Sequence, residues 1–170
     1  SEKDKPYDRP PLSKKLWKGD SIDTIWRKTP EENLHFYLGR NVTAIDAAKK
    51  SIAIGDSEEI TYDKLLLATG GTVRTLPFKA EGIIYYRTVE DYRHLCTLTD
   101  TKNNFLIIGG GFIGSEIAAA LSMNSKNVTM IFPEGNLGEK NYPKELSNFI
   151  TDYYKAKGVR ILSQDGVEDI

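Results

Sequence analysis

The chain has 170 residues with a net charge of −1, 28% charged and 39% hydrophobic residues, an ordinary globular balance with no global field to gather nucleic acid or an anionic membrane. No apolar run approaches the roughly 20 residues of a membrane span, and the charged start Ser1-Glu2-Lys3-Asp4-Lys5 lacks the apolar core of a signal peptide. Cys96 stands alone, which excludes an internal disulfide, a CxxC redox pair and a zinc knuckle within this sequence, and His35 and His94 are too isolated to suggest a metal site.

The first 28 residues carry a modest basic excess that reads as a solvated face. Pro6, Pro10 and Pro11 force an extended entry, after which Leu12-Ser13-Lys14-Lys15-Leu16-Trp17 predicts a short helix with a serine cap. Short alternating runs then dominate: Leu34 to Leu38, Val42 to Ile45, Ser51 to Ile54, Glu59 to Tyr62 and Leu65 to Leu67. The polar breaks between them predict a β-meander. The last run ends in Ala68-Thr69-Gly70-Gly71, where glycines let a backbone approach a ligand closely. A connector over 72–88 leads to a helix from about Thr88 to Leu98. In that helix Cys96 reads as a small buried apolar residue, not a nucleophile.

The centre of the sequence is Phe105-Leu106-Ile107-Ile108-Gly109-Gly110-Gly111-Phe112-Ile113-Gly114-Ser115-Glu116. A β-prone run enters Gly109-x-Gly111-x-x-Gly114, and an apolar helical pattern follows to Met123. Strand, tight turn and helix start in that order hold a dinucleotide pyrophosphate against backbone N–H groups and the positive end of a helix. A lone GxGxxG is weak, and the context strengthens it. Asn127 to Phe132 is a second β-rich run at βαβ spacing, and Glu134, 20 residues beyond Gly114, is placed to accept hydrogen bonds from the adenosine ribose. No arginine lies between Phe132 and Lys144 to grip a 2′-phosphate, so NAD(H) is favoured over NADP(H). Beyond it, Leu146, Phe149, Ile150, Tyr153 and Tyr154 form the apolar stripe of an amphipathic helix. Gly158 ends that helix, and Val159 to Leu162 predicts a third parallel strand.

Ile60-Thr61-Tyr62-Asp63-Lys64-Leu65-Leu66-Leu67-Ala68-Thr69-Gly70, followed about 40 residues later by the glycine turn, resembles the pyridine-nucleotide-linked flavoprotein reductases. Tyr7-Asp8-Arg9-Pro10-Pro11-Leu12-Ser13-Lys14 with Leu16-Trp17, Ala68-Thr69-Gly70-Gly71-Thr72 with Arg74, and Phe132-Pro133-Glu134 are similar to the apoptosis-inducing-factor group of that family. The resemblance implies an α/β fold: a Rossmann-like parallel sheet over 73–170 for NAD, joined to part of an FAD-binding domain with a β-meander over 1–72. It also implies an internal piece of a larger flavoprotein, since the family's first GxGxxG lies upstream of the Arg-Pro-Pro motif.

Carried over residue by residue, the resemblance sets Arg9, Lys14, Val42, Thr69, Gly70 and Arg74 beside FAD. It sets Gly109, Gly110, Gly111, Phe112, Ile113, Gly114 and Glu134 beside NAD. Lys14 and Glu116 become a catalytic ion pair near the reactive edge of the flavin, and Phe112 a gate for the nicotinamide. From the residues alone, Lys14 and Lys15 read as a solvated pair, Glu116 as a helix N-terminal acid and Phe112 as a core aromatic. Where the family has a lysine contacting NAD, this sequence has Glu139, with Lys140 adjacent. The implied activity is an FAD-dependent NADH oxidoreductase passing electrons to an external acceptor. The alternative from another class is a redox-sensing interaction protein with NADH-linked dimerisation. The resemblance gives it a homodimer, a mitochondrial import partner or DNA as partners, and a mitochondrial location; without the resemblance the location reads as cytoplasmic.

Overall fold

The computed structural model describes residues 2–30 and 32–168. The chain packs as two compact units: residues up to 8 together with 26–74, and 9–25 together with 75 onward.

The first unit is built on an antiparallel sheet of β1 (Val42–Asp46), β2 (Ser51–Ile54) and β3 (Glu58–Thr61), in that order. Ile45 faces Ile52, which faces Ile60, so the β-branched residues pair across the sheet. Asp46 turns the chain between β1 and β2 by accepting the Ala48 and Lys49 N–H groups at 3.0 and 2.9 Å. Tyr7 and Trp26 meet edge-on, centroids 5.7 Å apart, and Arg27 pairs with Asp8 at 2.7 Å. Two expected strands are absent. Leu34–Leu38 and Leu65–Leu67 are irregular, because an apolar run becomes a strand only when a neighbour takes up its backbone hydrogen bonds. No described strand pairs with either, and Leu66 stands 87% exposed.

The second unit holds the α/β fold expected from the sequence. Its parallel strands β4 (Asn104–Ile108), β5 (Asn127–Phe132) and β6 (Arg160–Ser163) lie in chain order, linked by α2 (Phe112–Met123) and α3 (Lys144–Ala156). The register runs Ile107 to Met130 to Ile161. Val128, Met130 and Phe132 of β5 pack against Ile117, Ala118 and Leu121 of α2 to form the core. Ahead of β4, α1 (Val89–Thr101) starts at Thr88 with a capping box: Asp91 N–H donates to the Thr88 hydroxyl while the Asp91 carboxylate accepts Thr88 N–H. Its Cys96 is only half-buried, and burial pushes the thiol up from its ordinary value.

Two elements differ from expectation. Residues 12–17 form no α-helix but parts of two tight 3₁₀ turns, Pro10–Ser13 and Lys15–Lys18, and Ser13 caps neither. The α3 stripe is also misplaced. Ile150 and Tyr154 do pack on the core, but Leu146, Phe149 and Tyr153 are exposed at 42%, 66% and 52%, while Ser147 and Thr151 are buried. The reason is close approach: the Thr151 hydroxyl donates to the Ser147 carbonyl at 2.7 Å and accepts the Leu137 N–H at 2.9 Å. Small polar side chains let the helix sit down on the loop after β5, and the bulky apolar ones are left outside.

Candidate dinucleotide site

The ends of β4 and β5 bring two loops together. Gly109 takes φ +111°, which a side chain would oppose, and donates its N–H to the Ile131 carbonyl at 2.8 Å, so the ladder runs into the turn. A Cβ on Gly110 would lie 2.9 Å from the Phe132 ring, and one on Gly114 would lie 2.3 Å from the Gly109 carbonyl oxygen. At Gly111 an added Cβ would meet nothing within 4 Å, so the protein leaves that face of the turn open. Gly111 is also the N-cap of α2, and no side chain caps it. The first-turn N–H groups of a helix have no partner within the helix, and those of α2 point from an uncapped end. Phe112 and Ile113 on that end are 55% and 52% exposed.

Across the turn, the loop after β5 is tied to it by the Gly138 N–H, which donates to the Gly110 carbonyl at 3.0 Å. Tyr142 lies edge-on to Phe112 with centroids 5.8 Å apart. At the end of β5, Glu134 forms an ion pair with Lys140. The Lys140 ammonium is the main influence holding the Glu134 carboxyl below its ordinary value, with burial opposing it. Glu139 turns back on the loop, and its Oε2 accepts N–H groups from both Gly135 at 2.7 Å and Asn136 at 3.0 Å.

Behind the turn, Glu116 on the first part of α2 is gripped at both oxygens. Lys14 Nζ lies 2.8 Å from Oε1, and the buried Ser13 hydroxyl donates to Oε2 at 2.6 Å. The Lys14 side chain remains 50% exposed. The segment carrying Lys14 is itself anchored through the Leu12 carbonyl, which accepts from Trp17 Nε1 at 2.8 Å and from the Tyr86 hydroxyl at 2.6 Å. Burial pushes the Tyr86 phenol well above its ordinary value. Tyr154 donates to the Ser115 carbonyl at 3.0 Å, and burial, with the nearby Glu116 charge second, raises its phenol too. Arg9 reaches the Arg87 carbonyl at 2.8 Å.

Of the residues singled out from the sequence, Arg9, Lys14, Gly109 to Gly114, Glu116 and Glu134 all lie in the second unit; Val42, Thr69, Gly70 and Arg74 lie in the first. Val42 is 52% exposed on β1, and Gly70 has φ +69° in irregular chain. Sequence reasoning missed Tyr86 and Tyr142, which nothing local marks. Ser13 reads in the sequence as a cap inside the Arg-Pro-Pro-Leu-Ser-Lys motif and Glu139 as a mismatch to the family's lysine, and neither reading points to the contacts these two make in the fold. Among the described residues no cluster of three or more His, Cys, Asp or Glu could hold a metal, and no helix is long and apolar enough to cross a membrane.

Comparison with known proteins extends over the whole chain. The profile of the pyridine nucleotide-disulphide oxidoreductases matches residues 1–170. The 5,5'-dehydrodivanillate O-demethylase ferredoxin reductase subunit of Sphingobium sp. is 35% identical over 177 aligned residues, covering 99% of this chain and 43% of that protein. Mitochondrial apoptosis-inducing factor 1 of Dictyostelium discoideum is 33% identical, covering 97% of this chain and 36% of its own length. The NADH:rubredoxin oxidoreductase of Clostridium acetobutylicum superposes with a TM-score of 0.86 at 26% identity, over 98% of this chain and 46% of that one. The chain thus spans less than half the length of each of these proteins.

Proposed function

The chain belongs to the pyridine nucleotide-disulphide oxidoreductase family, and on that premise we propose that it carries the NADH site and part of the flavin-facing site of an FAD-dependent NADH oxidoreductase that passes electrons to an external acceptor. The observation that carries this reading is the open Gly111 face at the uncapped start of α2, with Glu134 at the end of the neighbouring strand. Pyrophosphate would take the N–H groups of the turn, and Glu134 would accept from the ribose hydroxyls. Phe112 and Tyr142 would flank the nicotinamide end.

The donor set also fits a flavin. Lys14 offers a half-exposed ammonium whose position is set by a doubly held carboxylate. When bound, FAD supplies the hydride-accepting ring system. Lys14 would face the negative charge that develops there, at a fixed point that needs no reorganisation, while Glu116 and Ser13 hold the ammonium in place. Trp17 and Tyr86 keep the backbone of that segment from shifting. Ferredoxin- and rubredoxin-type proteins, the acceptors named for the relatives, are the acceptors this reading favours.

Calorimetric titration of the chain with NADH tests the nucleotide half of the proposal; absence of saturable binding refutes it. For the flavin half, Lys14→Ala and Glu116→Ala should each slow flavin reduction by NADH in the FAD-loaded protein. Unchanged stopped-flow rates in both would remove the pair from the chemistry.

The likeness to apoptosis-inducing factor 1 favours a second reading. In it the protein is a mitochondrial redox sensor whose NADH-reduced form dimerises and meets an import partner or DNA. Sedimentation of the FAD-loaded protein with and without NADH separates the two: a stable dimer with slow turnover supports the sensor, and fast turnover as a monomer the reductase.

A further inference from the structure

In the loop over 134–140, the Gly135 and Asn136 N–H groups and the Lys140 ammonium are taken up by the loop's own carboxylates. The Gly135 and Asn136 N–H groups are consecutive and converge on one point, the Glu139 Oε2, at 2.7 and 3.0 Å. Successive N–H groups aimed at a common centre form a concavity that binds anions. A Cβ on Gly135 would come within 3.2 Å of that same oxygen, so the carboxylate sits tightly against the backbone. One residue before this concavity is Glu134, and one residue after Glu139 is Lys140, whose ammonium pairs with Glu134. Two backbone donors and one ammonium match the needs of a phosphate dianion. Here they serve two internal carboxylates, leaving the loop one net negative charge from Glu134, Glu139 and Lys140.

We infer that Glu139 is a specificity-determining residue: by filling the Gly135–Asn136 concavity with its own carboxylate it closes a latent site for the 2′-phosphate of NADPH. The inference rests on the reading of Glu134 as the ribose residue, since a 2′-phosphate is carried on that same ribose. It changes the account of nucleotide choice. The missing arginine and the acidic Glu134 would together select NADH by the usual rule. Glu139 adds a second barrier, because an incoming phosphate meets a like charge and finds the backbone donors taken. Lys140 is the cation such a phosphate would use: its side chain is 77% exposed, and the phosphate would compete with Glu134 for it.

The test is equilibrium binding of NADH and NADPH to the chain by calorimetry, which needs no flavin and no turnover. Glu139→Gln removes the charge but keeps a side-chain oxygen for the two N–H groups, so the loop retains its staple. Removing one charge beside a phosphate dianion at an exposed site is worth about tenfold in affinity. Glu139→Gln should therefore tighten NADPH about tenfold while leaving NADH within about twofold. Glu139→Ala, which also vacates the N–H groups, should tighten NADPH further, and Lys140→Gln in the Glu139→Gln chain should cancel the gain.

An NADPH to NADH ratio unmoved by both Glu139 variants, in a chain that still binds NADH and responds to Glu134→Gln, overturns this inference and leaves the NADH site standing. Equal weakening of both nucleotides in both variants, with lowered thermal stability, makes Glu139 a structural staple only and also overturns it. If the unaltered chain binds no NADH, the NADH site and this inference fall together.

Discussion

Replacing Gly111 by alanine separates ligand contact from folding more cleanly than any other change in the turn. Gly111 has φ −81° and ψ −173°, a backbone any residue adopts, and an added Cβ meets no protein atom within 4 Å. The fold should accept the methyl and gain up to about 1 kcal/mol from the stiffer unfolded chain. The ligand should not accept it. A pyrophosphate seated on the turn would be pushed outward by the new methyl and lose about two charge-assisted hydrogen bonds to the backbone, about 3 kcal/mol in all. That corresponds to about a hundredfold weaker NADH binding. Gly114→Ala is the contrasting case, since its Cβ would lie 2.3 Å from the Gly109 carbonyl oxygen and must move backbone. It should lower stability by about 1–3 kcal/mol as well as binding. Thermal unfolding and calorimetric NADH titration of both variants give the comparison. A stable Gly111→Ala chain that binds NADH as tightly as the unaltered one would refute the seating of the pyrophosphate on this turn.

Glu134→Ala should weaken NADH about tenfold by removing the ribose acceptor, read by the same titration. The Glu134 carboxyl titrates below its ordinary value because of Lys140, so the stability it lends is present above the ordinary carboxylate pKa and is lost as pH falls through the lowered one. With Lys140 largely exposed that stability is under about 1 kcal/mol, and Lys140→Gln should shift the Glu134 NMR titration upward. Tyr86→Phe removes the 2.6 Å hydrogen bond to the Leu12 carbonyl and should cost about 1 kcal/mol at neutral pH. The raised Tyr86 phenol has the opposite pH sign: the folded state resists ionisation, so stability falls as pH rises above the ordinary phenol value of about 10. The gap between the native chain and Tyr86→Phe should therefore narrow in alkaline denaturant titrations.

The glycine turn was legible because its chemistry is local. Gly109 is required by its φ of +111°, Gly110 and Gly114 by the contacts an added Cβ would make, and the flanking apolar runs of β4 and β5 carry their own pairing signal. The Lys14–Glu116 pair was not legible from the residues alone, since it joins positions 102 apart in sequence; only the family resemblance pointed to it. The α3 face was misread because apolar periodicity assumes that bulky residues face inward. Ser147 and Thr151 instead bury themselves through hydrogen bonds to the backbone, which a hydrophobic pattern does not register. Leu65–Leu67 has strand-like residues and no described strand beside it, and pairing is a tertiary fact that a run of leucines cannot supply. Glu139 was visible only as a mismatch to the family's lysine. Its role emerges from the fold, which turns its carboxylate back onto Gly135 and Asn136.

Amide hydrogen exchange of the chain with and without saturating NADH tests the central claim most directly. The account predicts slowed exchange concentrated at the N–H groups of Gly111, Phe112 and Ile113, which open the uncapped end of α2, with little change along β1 to β3. Saturable NADH binding that leaves those three amides unprotected would contradict it.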